Sequence, residues 1–211
     1  MKNRILLLTV ICLVVSSCKK DEPQPTNTNT NNTADNVQDR LNNGETPLEI
    51  YWSNIVYLDS LYGKTYQGGL IFYFNTTDGT GIVSADSDQD TLYWGCENTN
   101  ISGTSTSLGT GEQNTLLIVG GCLVADIAAR ACYNLVNNGF SDWYLPSKDE
   151  LNKMYVNLYL NGYGNFVLSS YWSSSQFDPQ FAYLQLFNSN TNQYYSYKDL
   201  LQYQVRAVRS F

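Results

Sequence analysis

Hydrophobic residues crowd the start of the chain, almost vanish, and then return in periodic clusters. Ile5 to Val15 is an apolar run of eleven residues behind Lys2 and Arg4, interrupted mildly by Thr9 and Cys12. At 1.5 Å per residue such a run reaches about 16 Å, half of a bilayer core, so residues 1–17 predict a signal segment and no permanent span. Residues 18–45 hold Pro23 and Pro25, a Thr/Asn stretch from Thr26 to Thr33, and only Val37 and Leu41 as large aliphatics. Too little apolar surface is present to offset ordering entropy, which predicts a disordered tether about 25 Å in reach. At Thr46-Pro47-Leu48-Glu49 the grammar of a helix start appears, with Thr46 as cap, Pro47 at the first helical position and Glu49 three residues past the cap. Leu48, Tyr51, Trp52 and Ile55 then predict one packing face of a helical neck over 46–65, ended by Gly63.

From residue 66 the periodicity shortens. Gly69-Leu70-Ile71-Phe72-Tyr73-Phe74, the glycines at 79 and 81, and Ile82-Val83 predict strand, turn and strand. A polar loop is expected from Asp86 to Asn114. Leu123 to Val136 carries helical spacing and stops at Asn138-Gly139. Ser147 as cap and Glu150 at the third helical position open a second helix to Tyr159, with Leu151, Met154, Tyr155 and Leu158 on one face. Residues 171–175, 181–188, 193–198 and 203–210 alternate and are aromatic, predicting a strand meander. Strands, two helices and more strands predict an α+β domain over 66–211.

Composition narrows the function classes. The 211 residues are 43% hydrophobic, which excludes a wholly disordered chain. Histidine is absent, removing the commonest general base, nucleophilic triads and the commonest metal ligand together. Nineteen acidic against twelve basic residues leave a net charge of −7, a poor footprint for nucleic acid. Neither a cofactor nor a metal centre is expected.

Val15-Ser16-Ser17-Cys18 resembles the bacterial lipobox, in which Cys18 is acylated and becomes the first residue after cleavage. The membrane would then be a partner through lipid alone, each buried methylene contributing about 0.8 kcal/mol. Lys19-Lys20-Asp21-Glu22 is similar to the surface-export signal of Bacteroidetes lipoproteins. An outer-membrane, surface-exposed location follows from these two resemblances.

Further along, Gly139-Phe140-Ser141-Asp142-Trp143-Tyr144-Leu145-Pro146-Ser147 with Glu150-Leu151 forms a dense motif. Tyr171-Trp172-Ser173-Ser174-Ser175 and Val205-Arg206-Ala207-Val208-Arg209 follow in order. These residues resemble the DUF1566 family, which includes the C-terminal domain of the Legionella collagen-like adhesin. The resemblance covers about residues 66–211. It implies a fold similar to C-type lectin-like and formylglycine-generating-enzyme-like domains, with two helices and a twisted antiparallel sheet. The residues themselves suit scaffold roles. Trp143 and Leu145 can share a face, and Pro146 turns Leu145 away from helix. Trp172 brings an indole N–H that needs a partner. Arg206 and Arg209, at odd separation, are expected to place one guanidinium inward toward an acid such as Asp142 and the other in solvent.

Four patterns could carry chemistry. Asp86, Asp88 and Asp90 with Glu97 superficially match calcium ligands, but Thr91 stands where the loop needs glycine, so a solvated acidic loop is expected. Gly109-Thr110-Gly111 lacks the lysine and spacing of a phosphate loop and reads as a tight turn. Of the cysteines in the exported part, Cys122 and Cys132 flank a predicted helix too long to bridge, which leans toward a Cys96–Cys122 disulfide. Finally Tyr194, Tyr195 and Tyr197 adjoin an amide-rich turn, the combination of flat rings and hydrogen-bonding groups that a sugar requires; core-rim tyrosines of a hairpin are the plain alternative. Together these features predict a non-enzymatic, lipid-anchored binding domain, adhesin-like, for glycan or another extracellular polymer. The alternative is a structural or protein-interaction component of the envelope.

Overall fold

A computed structural model describes residues 36–188 and 192–211. The signal segment, Cys18 and the tether as far as residue 35 lie outside the described residues, as do residues 189–191 of the amide-rich turn. Among the described residues no helix is long and apolar enough to cross a membrane.

Helical structure is present ahead of the predicted neck. Asn36 caps helix α1 (Val37–Asn42), its side chain accepting from the Gln38 N–H. Val37 and Leu41 lie one turn apart and are both buried in the main core. Two aliphatics at i and i+4 form one short stripe. They scarcely alter composition, yet they dock the helix, so residues 36–45, predicted as the end of the tether, carry ordered structure.

Helix α2 (Pro47–Ser53) starts as its sequence predicts. Thr46 Oγ1 accepts from the Glu49 N–H at 3.2 Å, and the Glu49 carboxylate accepts from the Thr46 N–H at 2.8 Å. Its buried face is different: Pro47 and Ile50 turn inward, whereas Trp52 and Ile55 stand in solvent. Asn54 is extended and breaks the helix, a 3-10 turn occupies Ile55–Tyr57, and α3 (Leu58–Leu61) follows. The helical spacing therefore does not run through residue 54. Gly63, at φ +75°, ends the neck.

Strands β1 (Thr65–Tyr66), β2 (Gly69–Phe74) and β3 (Gly81–Ser84) form the expected antiparallel start. Strand β4 (Asp90–Leu92) lies inside what the polarity predicts as loop. Helix α4 (Gly111–Gly121) and helix α5 (Ala128–Tyr133) replace the single helix predicted over 123–136. Leu123 is 91% exposed, because the chain leaves α4 after Gly120-Gly121 and runs extended at Cys122. Apolar composition there spans a helix end and a loop. Helix α6 (Lys148–Asn157) carries the full Ser147/Glu150 capping box and buries Leu151, Met154 and Tyr155, as predicted.

The remaining strands are β5 (Ser170–Gln176), β6 (Phe181–Leu186), β7 (Gln193–Tyr197), β8 (Tyr203–Val205) and β9 (Val208–Ser210). They complete an α+β fold with two sheets, one ordered β1-β2-β3-β9 and the other β4-β8-β5-β6-β7. Neighbours are antiparallel except β5 and β8. The predicted strand 203–210 is thus two strands in two sheets, with Arg206-Ala207 passing between them. Trp94, Trp143 and Trp172 fill the larger core; Phe72, Tyr144, Tyr155, Tyr171 and Phe187 fill the second. Trp143 and Leu145 share the first core while Tyr144 enters the second, the alternation expected of an extended segment.

Candidate functional site

The hairpin β6–β7 places Phe181 opposite Tyr197 and Tyr183 opposite Tyr195. Side chains alternate across a strand, so these four rings share one face, and Ala182 and Leu184 point into the core from the other. Phe177, in the turn after β5, completes the set. Its ring stacks on Tyr195 at 4.4 Å and 2° and meets Tyr183 edge-on at 5.4 Å. Phe181 touches Tyr197 at 4.2 Å and Tyr195 at 5.4 Å. Phe177, Tyr195 and Tyr197 are exposed, Tyr195 by 52%. The result is an aromatic platform on the outer strand of the larger sheet.

Of the three tyrosines singled out from the sequence, the structure brings together Tyr195 and Tyr197. Tyr194 pairs with Leu184 and faces the opposite side of β7, though it too is exposed. Phe177, Phe181 and Tyr183 escaped the sequence reading, since their membership depends on strand register. Alternation of Phe181 with Tyr183 was the available signal. Gln193 is not a free amide: its Nε2 donates to the Lys148 carbonyl at 2.8 Å and to Gln185 Oε1 at 3.2 Å. The polar rim of the platform instead includes Gln180, whose Nε2 donates to Asn98 Oδ1, and Lys148, whose Nζ lies 5.5 Å from the Tyr183 ring.

Beside Tyr197, Lys198 turns inward and is fully buried. Its Nζ donates to the Thr99 carbonyl at 2.9 Å and Gln176 Oε1 at 2.8 Å, and stands 4.7 Å over the Trp94 ring. Burial pushes this ammonium down to about 8. The lysine pins the loop 94–101 beneath the platform, a role its sequence context does not announce.

The motif residues are held elsewhere. Arg209 grips Asp142 with two bonds of 2.7 and 2.8 Å, and the guanidinium holds that carboxyl below its usual range. One of the two arginines is expected in solvent, but Arg206 is not exposed. It is buried, bonded to Asp88 at 2.6 Å and to the Ala85 and Gly164 carbonyls. Two buried cations are possible because the crossing between sheets gives each its own acid. Tyr171 donates to the other oxygen of Asp88 at 2.9 Å, so this central acid of the would-be calcium loop is spent on structure. Among the described residues no cluster of three or more potential metal ligands occurs. The Trp172 N–H finds the Leu92 carbonyl at 2.9 Å.

Glu150 occupies the position an external anion could take at Gly109-Thr110-Gly111. Its Oε1 accepts from the Gly109 N–H at 2.9 Å and the Gly111 N–H at 3.3 Å, and Oε2 from the Ser147 N–H at 2.8 Å. Burial pushes its carboxyl pKa up while those donors pull it down. Leu151 is buried in the second core, and Pro146 supplies a carbonyl to the Ser174 N–H. Cys96 and Cys122 form a disulfide with Cα atoms 5.8 Å apart, leaving Cys132 free and buried. The chain matches no protein-family model and no curated protein sequence.

Proposed function

We propose that this protein is a lipid-anchored, non-enzymatic binding domain at the cell surface, and that the Phe177–Tyr195–Tyr197 platform is where it takes a neutral glycan or similar extracellular polymer. The platform is the observation that carries the reading. Phe177 and Tyr195 stack face to face at 4.4 Å, each covering one face of the other. With Tyr197 they remain exposed, so the cluster offers apolar ring surface to solvent for the C–H face of a pyranose. The Gln180–Asn98 amides and Lys148 supply hydrogen-bonding groups for ring hydroxyls.

The lipobox-like Cys18, the charged residues after it and the adhesin-like motifs support the location and the binding role. The described part of residues 66–211 holds three α-helices, α4, α5 and α6, and two sheets rather than the two helices and single sheet expected. Helices beside largely antiparallel sheets remain compatible with a C-type lectin-like fold as the finer architecture. Charge selects among polymers: residues 66–211 carry six basic and twelve acidic side chains, which disfavours sulfated chains.

The test is binding of the detergent-solubilised full chain to an array of neutral and sulfated glycans. Retention of neutral glycans is expected, with Tyr195→Ala and Tyr197→Ala each weakening it by about tenfold, one aromatic contact's worth. Tyr194→Ala, across the strand, should leave binding unchanged. Absence of any glycan binding, or equal loss in all three variants, rejects the platform. Co-purification of one envelope protein through the free edge of β7 would favour the protein-interaction alternative.

A further inference from the structure

Trp52, Ile55 and Val56 are 67%, 69% and 67% exposed, three large apolar side chains within five residues. Single exposed apolar residues need no explanation, but a cluster of this density marks a contact surface. Trp52 stands on the solvent side of α2, and the break at Asn54 is followed by a 3-10 turn in which Ile55 and Val56 are exposed as well.

Its place in the chain points to the occupant. Seventeen residues separate Cys18 from Asn36, and the tether predicted from their composition would reach about 23 Å. Helix α1, where the described chain begins, is tied directly to α2 by Arg40, whose Nη1 donates to Ser53 Oγ at 2.9 Å. The exposed cluster therefore lies beside the entry of the tether, within reach of the bilayer that would hold the anchor. Its residue types suit that layer, since indoles concentrate at the membrane–water interface. Residues 36–65 carry two basic and four acidic side chains, and Arg40 is already paired with Glu45, so headgroup charge would not draw this surface to lipid.

We infer that Trp52, Ile55 and Val56 form a membrane-contact surface that seats the neck in the interfacial layer of the bilayer. This rests on the lipid-anchored reading above. The anchor keeps the surface at high effective concentration near lipid, so shallow apolar insertion suffices.

Trp52 makes the idea measurable, because the other three tryptophans are buried and it is the one exposed indole. The purified full-chain lipoprotein is reconstituted in phosphatidylcholine vesicles with plain or brominated acyl chains. Flotation reads the anchor; the Trp52 emission, taken by difference from Trp52→Phe, reads the contact. Expected are co-flotation, a blue shift, and loss of most Trp52 emission to the bromines, equal at low and high salt. The double variant Ile55→Ser/Val56→Ser, altered only at exposed positions, should float equally but return Trp52 to its aqueous emission. Co-flotation with Trp52 unquenched and open to iodide overturns the contact surface alone. Failure to float overturns the anchored reading and this inference with it.

Discussion

Glu150 is a carboxylate set where three backbone N–H groups converge, from Gly109, Gly111 and Ser147. Removing it leaves buried donors without partners, each costing about 1–3 kcal/mol. Glu150→Ala is therefore expected to lower the unfolding free energy by about 3 kcal/mol in urea titration, and Glu150→Gln by less, because one amide oxygen can still serve the glycines. Lys198 gives a pH signature. Its folded pKa, about 8, lies below the 10.5 of a free lysine, so over that window the unfolded chain holds a proton that the fold has released. Stability should accordingly rise as pH climbs from 8 toward 9.5. The check is denaturation at several pH values against Lys198→Met, in which the rise should disappear.

Helix α1 shows how few residues dock an element. Leu41 and Val37 are its whole buried face. Leu41→Ala is expected to cost about 2 kcal/mol, the low end for a core leucine because a six-residue helix can detach locally. An exposed residue of the same helix, Asp39, should cost under about 0.5 kcal/mol when changed to Ala, and thermal unfolding of both variants checks the contrast. The disulfide closes a separation of 26 residues and ties the loop after Trp94 to the end of α4. Cys96→Ala/Cys122→Ala should lose about 3.5 kcal/mol by the loop-entropy relation. Local chemistry made several elements readable in advance: the capping boxes at Thr46 and Ser147, the glycines around β2 and β3, the face of α6. Where apolar residues crossed a helix end, at 120–128, or a break, at Asn54, periodicity misled. Spacing reports which residues could share a face and is blind to whether the backbone continues.

The two sheets are joined by residues far apart in sequence. Arg206 sits at the crossing from β8 to β9 and reaches Asp88, 118 positions earlier, while Tyr171 holds the same acid from β5. Asp88→Ala would leave a buried guanidinium uncompensated, and a loss of about 3–5 kcal/mol is expected, seen as a single cooperative shift of the urea midpoint. The same long-range pairing builds the platform, because only the β6–β7 register sets Tyr195 and Tyr197 against Phe181 and Tyr183. Short-range chemistry — caps, turns, alternation, the charged and apolar runs at the start — was already present in the amino acids and predicted the α+β class, the main elements and the Cys96–Cys122 pairing. Folding in three dimensions settled which acid meets each arginine, that Lys198 is buried, that Trp52 is left outside, and which rings lie side by side. Those outcomes depend on contacts between distant segments, and no local preference encodes the register or the sheet to which a strand is assigned.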